Sequence, residues 1–252
     1  MLNTKKYVFI FLGLIMFLFP VLTWAAPIPL PNINIGVSQA NSPAEMNTSL
    51  QVLILLTVLS LAPSLLIMMT SFTRIVIVLS FVRNALGTQQ APPTQLIVGL
   101  ALFLTFFVMA PTFTKINDNA VKPFTAGKIS QEEAMTQGMA PLRDFMFRQT
   151  RQKDLALFVQ LAKLPRPKNR ADIPTHVLIS SFIISEIKTA FQMGFAVFVP
   201  FLVLDIVIAS LLMSMGMMML PPVMISLPFK ILLFILVDGW SLVARSLVMS
   251  FH

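Results

Sequence analysis

The chain has 252 residues, of which 56% are hydrophobic and only 11% charged, against about 25% charged in a soluble domain. So little charge excludes an ordinary soluble fold, and so much apolar content excludes a disordered chain; a mean hydropathy of +0.84 points to a polytopic membrane protein or to one buried in a large apolar assembly. Cysteine is absent and the only histidines are His176 and His252, which removes disulfides, thiolate chemistry and any multi-histidine metal site within one chain.

Residues 1–25 read as a cleavable secretory signal. Lys5 and Lys6 form its basic start, Tyr7 to Leu22 its apolar stretch, and Thr23-Trp24-Ala25 supplies small residues at the two positions that direct cleavage between Ala25 and Ala26. The alternative is an uncleaved first membrane helix, but the stretch is shorter than the roughly 20 residues that cross a bilayer. Such a signal places the mature N-terminus outside the cytoplasm. Residues 26–49 follow as an extended segment carrying Pro27, Pro29, Pro31 and Pro43.

Residues 50–114 read as a first apolar helical hairpin. Its two runs are Leu50 to Val82, broken by Pro63 and Arg74, and Leu96 to Phe113. Between them, Gly87 suits a helix C-terminus and Pro92-Pro93 opens the next helix. Arg74 reads as a residue snorkelling from the end of a span, or with Arg83 as the mark of a membrane boundary.

Residues 115–175 form a polar, partly helical insert. Eleven of the eighteen basic residues fall between Lys115 and Arg170, and six acids between Lys115 and Thr175. No basic run interleaves with aromatics, so this is a solvated surface rather than a nucleic-acid site. Ser130 with Glu133 forms a capping box. Leu142, Phe145, Met146, Leu155, Phe158 and Leu161 fall at near-helical spacing, and Pro165, Pro167 and Pro174 end the insert.

Residues 176–252 read as a second apolar hairpin turning at Pro221-Pro222. Nothing alternates at period two, so a barrel is not expected. The fold class is therefore all-α: two apolar helical hairpins around a polar helical insert. Four conventional spans with the N-terminus outside would also put the basic insert outside, against the positive-inside tendency. The apolar runs need not all face lipid.

The second hairpin carries Glu186, Asp205 and Asp238 against Lys188, Lys230 and Arg245. An ionised group at a bilayer centre costs about 2.5–3.5 kcal/mol even on the mildest scale, so pairing is expected. Glu186 and Lys188 are two apart and point to different sides of a helix. The expected partners of Glu186, Lys188, Asp205 and Lys230 lie on another hairpin or a neighbouring chain, serving as structural ion pairs or, alternatively, a proton relay.

Met213, Met215, Met217, Met218, Met219 and Met224 crowd around the second turn. Thioether copper ligation finds no Cys or His to support it. Methionine as filler of a helix end, and a deformable loop lining a pore, both remain open. No phosphate loop, nucleophile elbow or zinc motif is present, so no catalytic residue, metal ligand or cofactor is assigned and the chain is not expected to be an enzyme.

Two stretches are specific. Ile184 to Phe195, reading ISEIKTAFQMGF, and Met69 to Ile75, reading MTSFTRI and running into RNALGTQQAPP at Arg83 to Pro93, resemble the FliP family. The similarity covers Leu50 to Phe251 and the signal, and it is closer to the flagellar members than to their virulence-system relatives. The resemblance implies a pore subunit of the flagellar type III export gate. It also implies five copies joined to FliR and FliQ subunits, with a FlhB-like subunit nearby, passing unfolded flagellar proteins. The complex is expected in the inner membrane of the basal body, largely on the periplasmic side. On the same resemblance Met217, Met218 and Met219 match a gasket in the pore, Glu186 and Lys230 match positions that hold subunits together, and Asp205 is a further matching acid. The other readings are an ion-coupled small-molecule transporter and an assembly scaffold outside the path.

Overall fold

A computed structural model describes residues 53–251 apart from positions 54, 55, 58, 62, 63, 65, 66, 89, 90 and 218. The signal with Ala25 and Ala26, the segment 26–49 and Met218 lie outside the described residues. The described residues are helices joined by turns, without strands.

The described positions between 53 and 68 are helical, and a break at Met69–Ser71 precedes α1 (Phe72–Ala85). The sequence reading breaks this run at Arg74 instead. The helix passes straight through it, and Arg74 is buried beside Ile75 on a face that continues through Val78, Leu79, Val82 and Ala85. That spacing is helical, so one side of α1 is core throughout. Gly87 then takes φ +73° beyond the C-cap Leu86, a left-handed turn that glycine adopts without a Cβ clash. Pro93 caps α2 (Thr94–Ile116), which continues through a π-helical stretch, Asn117–Val121, into the short α3 (Lys122–Thr125).

The insert folds as α4 (Gln131–Gln149) and α5 (Gln152–Leu161), then a 3₁₀ turn at Arg170–Asp172. Ser130 caps α4 by accepting from the Glu133 N–H at 3.2 Å. Arg143 fastens the end of the insert, donating to Thr175 Oγ1 at 2.5 Å and to the Ile173 carbonyl at 2.8 Å.

The second hairpin is α6 (Thr175–Ser214), α7 (Pro222–Leu236) and α8 (Gly239–Met249). Its 40 residues make α6 roughly 60 Å long at 1.5 Å per residue, about twice the hydrocarbon thickness of a bilayer. Its two halves have different surroundings. Val177, Leu178, Ser181, Phe182, Ser185, Glu186, Ala190 and Gly194 are buried, whereas beyond Gly194 only Phe201 and Leu212 are. As a whole α6 packs on α1, α4, α5 and α7.

The described residues do not give four straight spans. Two helices are long and apolar enough to cross a membrane, Thr94–Thr125 and Thr175–Ser214; α7 and α8, bent by 63°, make a third if taken together. At 14 residues, α1 falls short of the roughly 20 needed. Its buried face makes it the centre of the bundle, between α2 and α6.

Candidate functional site

Polar residues gather where the insert meets the apolar helices. Arg74 stands in the first turn of α1 and Glu186 at the middle of the buried half of α6. The guanidinium donates to Glu186 from Nε at 3.0 Å and from Nη2 at 2.5 Å. Its remaining hydrogens go to the Ser250 carbonyl and hydroxyl at 2.9 and 3.0 Å and to Gln149 Oε1 at 3.0 Å. All five donors are thereby used, which a planar guanidinium requires when it leaves water. The Phe251 ring lies 3.9 Å from its carbon, and Gln149 donates onward to the Phe251 carbonyl at 3.0 Å. One cation thus ties together α1, α6, the end of the insert helix α4 and the residues after α8.

A second junction lies one residue earlier on α6. The Ser185 hydroxyl donates to Asp154 Oδ2 at 2.6 Å and accepts from the Arg151 N–H at 3.1 Å. It fixes the start of α5 against α6. These two junctions explain why polar side chains survive in an otherwise apolar helix: each is hydrogen-bonded where it is buried.

The third junction is inside the second hairpin, so the expectation of partners on another hairpin or a neighbouring chain does not hold for Asp205 and Lys230: α7 packs back along α6 and the two meet each other. Lys230 of α7 donates to Asp205 Oδ2 of α6 at 2.6 Å, and Ser226, one turn earlier, donates to Oδ1 at 2.5 Å. Lys230 is buried and Asp205 is partly exposed. The Lys230 ammonium also lies beside Gly87, so it faces the end of α1, where carbonyl groups favour a cation.

Lys188 is exposed, two residues from fully buried Glu186. It has no ion-pair partner among the described residues. Around it Ile184, Phe191 and Phe195 are also exposed.

The methionine loop begins with a well-formed helix end. Gly216 has φ +76°. Its N–H bonds to the Met213 carbonyl at 3.1 Å, and the Met217 N–H bonds to that of Leu212 at 3.0 Å. This double bond pattern with glycine at the left-handed position closes a helix efficiently. Pro221 and Pro222 then start α7. Met217 is half-buried, while Met219 is 98% exposed, with Met213, Met215 and Met224 also open. The loop is a projecting apolar tip with little support from its own chain.

Participants not singled out from sequence include Arg74 as a buried ion-pair partner, Gln149, Ser250, Ser185, Asp154 and Ser226. A signal for the first was present. Arg74 is a charge in an apolar run, and adding it to the six charges of the second hairpin supplies a cation for Glu186 once Lys230 is taken by Asp205.

Comparison with known proteins gives a family match and similar curated proteins. A model described as the FliP family matches residues 55–247. The chain is 58% identical over 217 residues to the flagellar biosynthetic protein FliP of Bacillus subtilis, covering 86% of this chain and 98% of that one. It is 55% identical to the same-named protein of Pectobacterium carotovorum (84% and 82% covered) and 49% identical to that of Treponema pallidum (88% and 83% covered).

Proposed function

The chain belongs to the FliP family, and from that premise we propose that it is a non-enzymatic pore subunit of the flagellar type III export gate in the bacterial inner membrane. Relatives sharing half or more of its residues carry the name flagellar biosynthetic protein, which sets the process. The observation that supports a role in the path is the unequal burial of α6. One half is packed by the chain itself, while the other half and α7 leave Phe195, Leu202, Ile206, Leu232 and Ile235 exposed below a bare methionine tip.

Large contiguous apolar surface marks a surface meant for protein or lipid. In this reading five copies, with FliR, FliQ and FlhB-like subunits, cover it, and the complex stands largely on the periplasmic side. Met217, Met218 and Met219 from each copy then converge. Unbranched thioether side chains deform around chemically different unfolded segments and close behind them. Glu186, Asp205 and Lys230 keep the hairpins in the shape that neighbours dock against. Lys188 is the charge left for a carboxylate on an adjacent subunit. A transporter working through Asp205 is less well supported, because both oxygens of that carboxylate are already held by Ser226 and Lys230.

The test is the native mass of the complex extracted in mild detergent. A multi-copy assembly containing this chain with its companion subunits is expected. A monomer or dimer that exchanges no partner would overturn the reading.

A further inference from the structure

A groove of about 550 Å³ runs between α6 and the bent pair α7–α8. Its walls include Val78, Val197, Phe201, Phe234 and Leu242, and among the described residues its one polar lining side chain is Ser246. The size falls within the roughly 300–1,000 Å³ of small-molecule sites, which are mostly apolar with a few placed polar groups. Ser246 lies in the last turns of α8. Four residues on, Ser250 is held by Arg74 beside Gln149 of the polar insert. The groove's polar lining residue is thus on the helix that leads to the polar cluster around Arg74.

Arg245 adjoins Ser246. It is exposed, and it has no ion-pair partner among the described residues. Leu242, one helical turn before Arg245, forms part of the rim, so cation and groove share one edge of α8. An uncovered cation beside the one polar residue of an apolar groove matches an anionic amphiphile, with the charge held by the guanidinium and hydroxyl and the hydrocarbon in the groove. Basic sites between membrane helices bind anionic lipid headgroups in this manner.

We infer that the groove between α6 and α7–α8 holds an acyl chain of an anionic phospholipid whose phosphate is bound by Arg245 and Ser246. This goes beyond the export reading and does not depend on it. A neighbouring protein chain is the competing occupant. The groove's single polar side chain and the unpaired cation beside it favour the lipid.

Trp240 reports on the site. Its ring stands edge-on to Phe234 at 5.3 Å, and the chain has one other tryptophan, Trp24, which a Trp24→Phe background removes. The full chain is placed in lipid nanodiscs containing phosphatidylglycerol or phosphatidylcholine with brominated acyl chains, and Trp240 quenching is read against mole fraction. Half-maximal quenching is expected at about a fivefold lower fraction of phosphatidylglycerol, the size of effect one basic residue has near an anionic surface. Arg245→Gln should abolish that preference and Arg245→Lys should retain much of it. Ala196→Phe, which fills the groove, should weaken quenching by both lipids. Equal quenching by the two lipids in the parent chain, an unchanged preference in Arg245→Gln, or no quenching by either lipid, as a seated protein chain would give, overturns the inference.

Discussion

The Arg74 guanidinium and the Glu186 carboxylate meet through two nitrogen–oxygen contacts of 3.0 and 2.5 Å, with both side chains essentially removed from solvent. They are 112 positions apart and join the first hairpin to the second. Because Arg74 also holds Ser250 and Gln149, breaking the pair affects four elements together.

Glu186→Gln should therefore be severely destabilising. It leaves a buried guanidinium without its anion, a loss of about 3–5 kcal/mol in comparable cases. Arg74→Met should cost a similar amount for the mirrored reason. The double variant Arg74→Met, Glu186→Leu removes both charges and should recover part of the loss. Thermal unfolding of the purified proteins in one detergent reads this directly. A double variant as unstable as the sum of the singles would show that the two residues act independently.

A different kind of constraint acts at Gly194. A Cβ built there would lie 2.5 Å from the Phe81 ring and 2.9 Å from the Phe81 Cβ, so a rotation of the ring alone gives no relief. Phe81 in turn packs edge-on against Phe191 at 5.2 Å. Gly194→Ala should push α1 and α6 apart and cost about 1–3 kcal/mol. Phe81→Ala in the same chain should restore much of it. If Gly194→Ala melts with the parent protein, the close approach of these helices is not a constraint on the fold.

Much of this architecture is legible in the sequence, and the part that is not has a common cause. Gly87, Pro93, Ser130 and Pro221-Pro222 act where they stand, through φ and capping, so the turns and helix starts are readable. The opposed directions of Glu186 and Lys188 follow from two steps of a helix. What each charge meets is not readable, because spacing within one helix says nothing about the neighbour across a packed interface. Arg74 illustrates the point. As a cation interrupting an apolar run it reads as a residue snorkelling from the end of a span, and only the packing of α1 at the centre of the bundle buries it. The exposed apolar half of α6 is equally silent, since lipid-facing and subunit-facing surfaces have the same composition.

Asp205 and Lys230 offer a test of structural against relay chemistry. Asp205→Asn keeps an acceptor for Ser226 but leaves the buried Lys230 ammonium without an anion. The expected result is loss of assembled complex, with export falling in parallel. Ser226→Ala removes one hydrogen bond and should cost only about 1 kcal/mol. Quantifying complex and export together in membranes separates the possibilities. Normal assembly with abolished export in Asp205→Asn would favour a proton-handling role.

The helix end at Gly216 isolates backbone from packing. No atom lies within 4 Å of a Cβ placed there, so Gly216→Ala carries only the cost of a left-handed φ, about 1–2 kcal/mol. The last turn of α6 should fray and its amides should exchange faster, with little change at Arg74 or Asp205. Hydrogen exchange by mass spectrometry resolves this, and unchanged protection at residues 211–217 would contradict the assigned helix end.

Replacing Met217, Met218 and Met219 together by alanine addresses the gate itself. Met219 is almost wholly exposed and Met217 half-buried, so truncating these two removes little of the subunit's own packing, and assembly of the triple variant should proceed. What changes is the seal. Alanine cannot reach across a gap that a flexible thioether chain spans, so the closed pore should conduct ions. Cells expressing the variant should show raised membrane conductance and slowed growth while still yielding intact complex. A single restored methionine at 219, the most exposed position, should reduce the leak. Intact complexes that neither leak nor change export would remove the loop from the path and leave the chain a scaffold of the assembly.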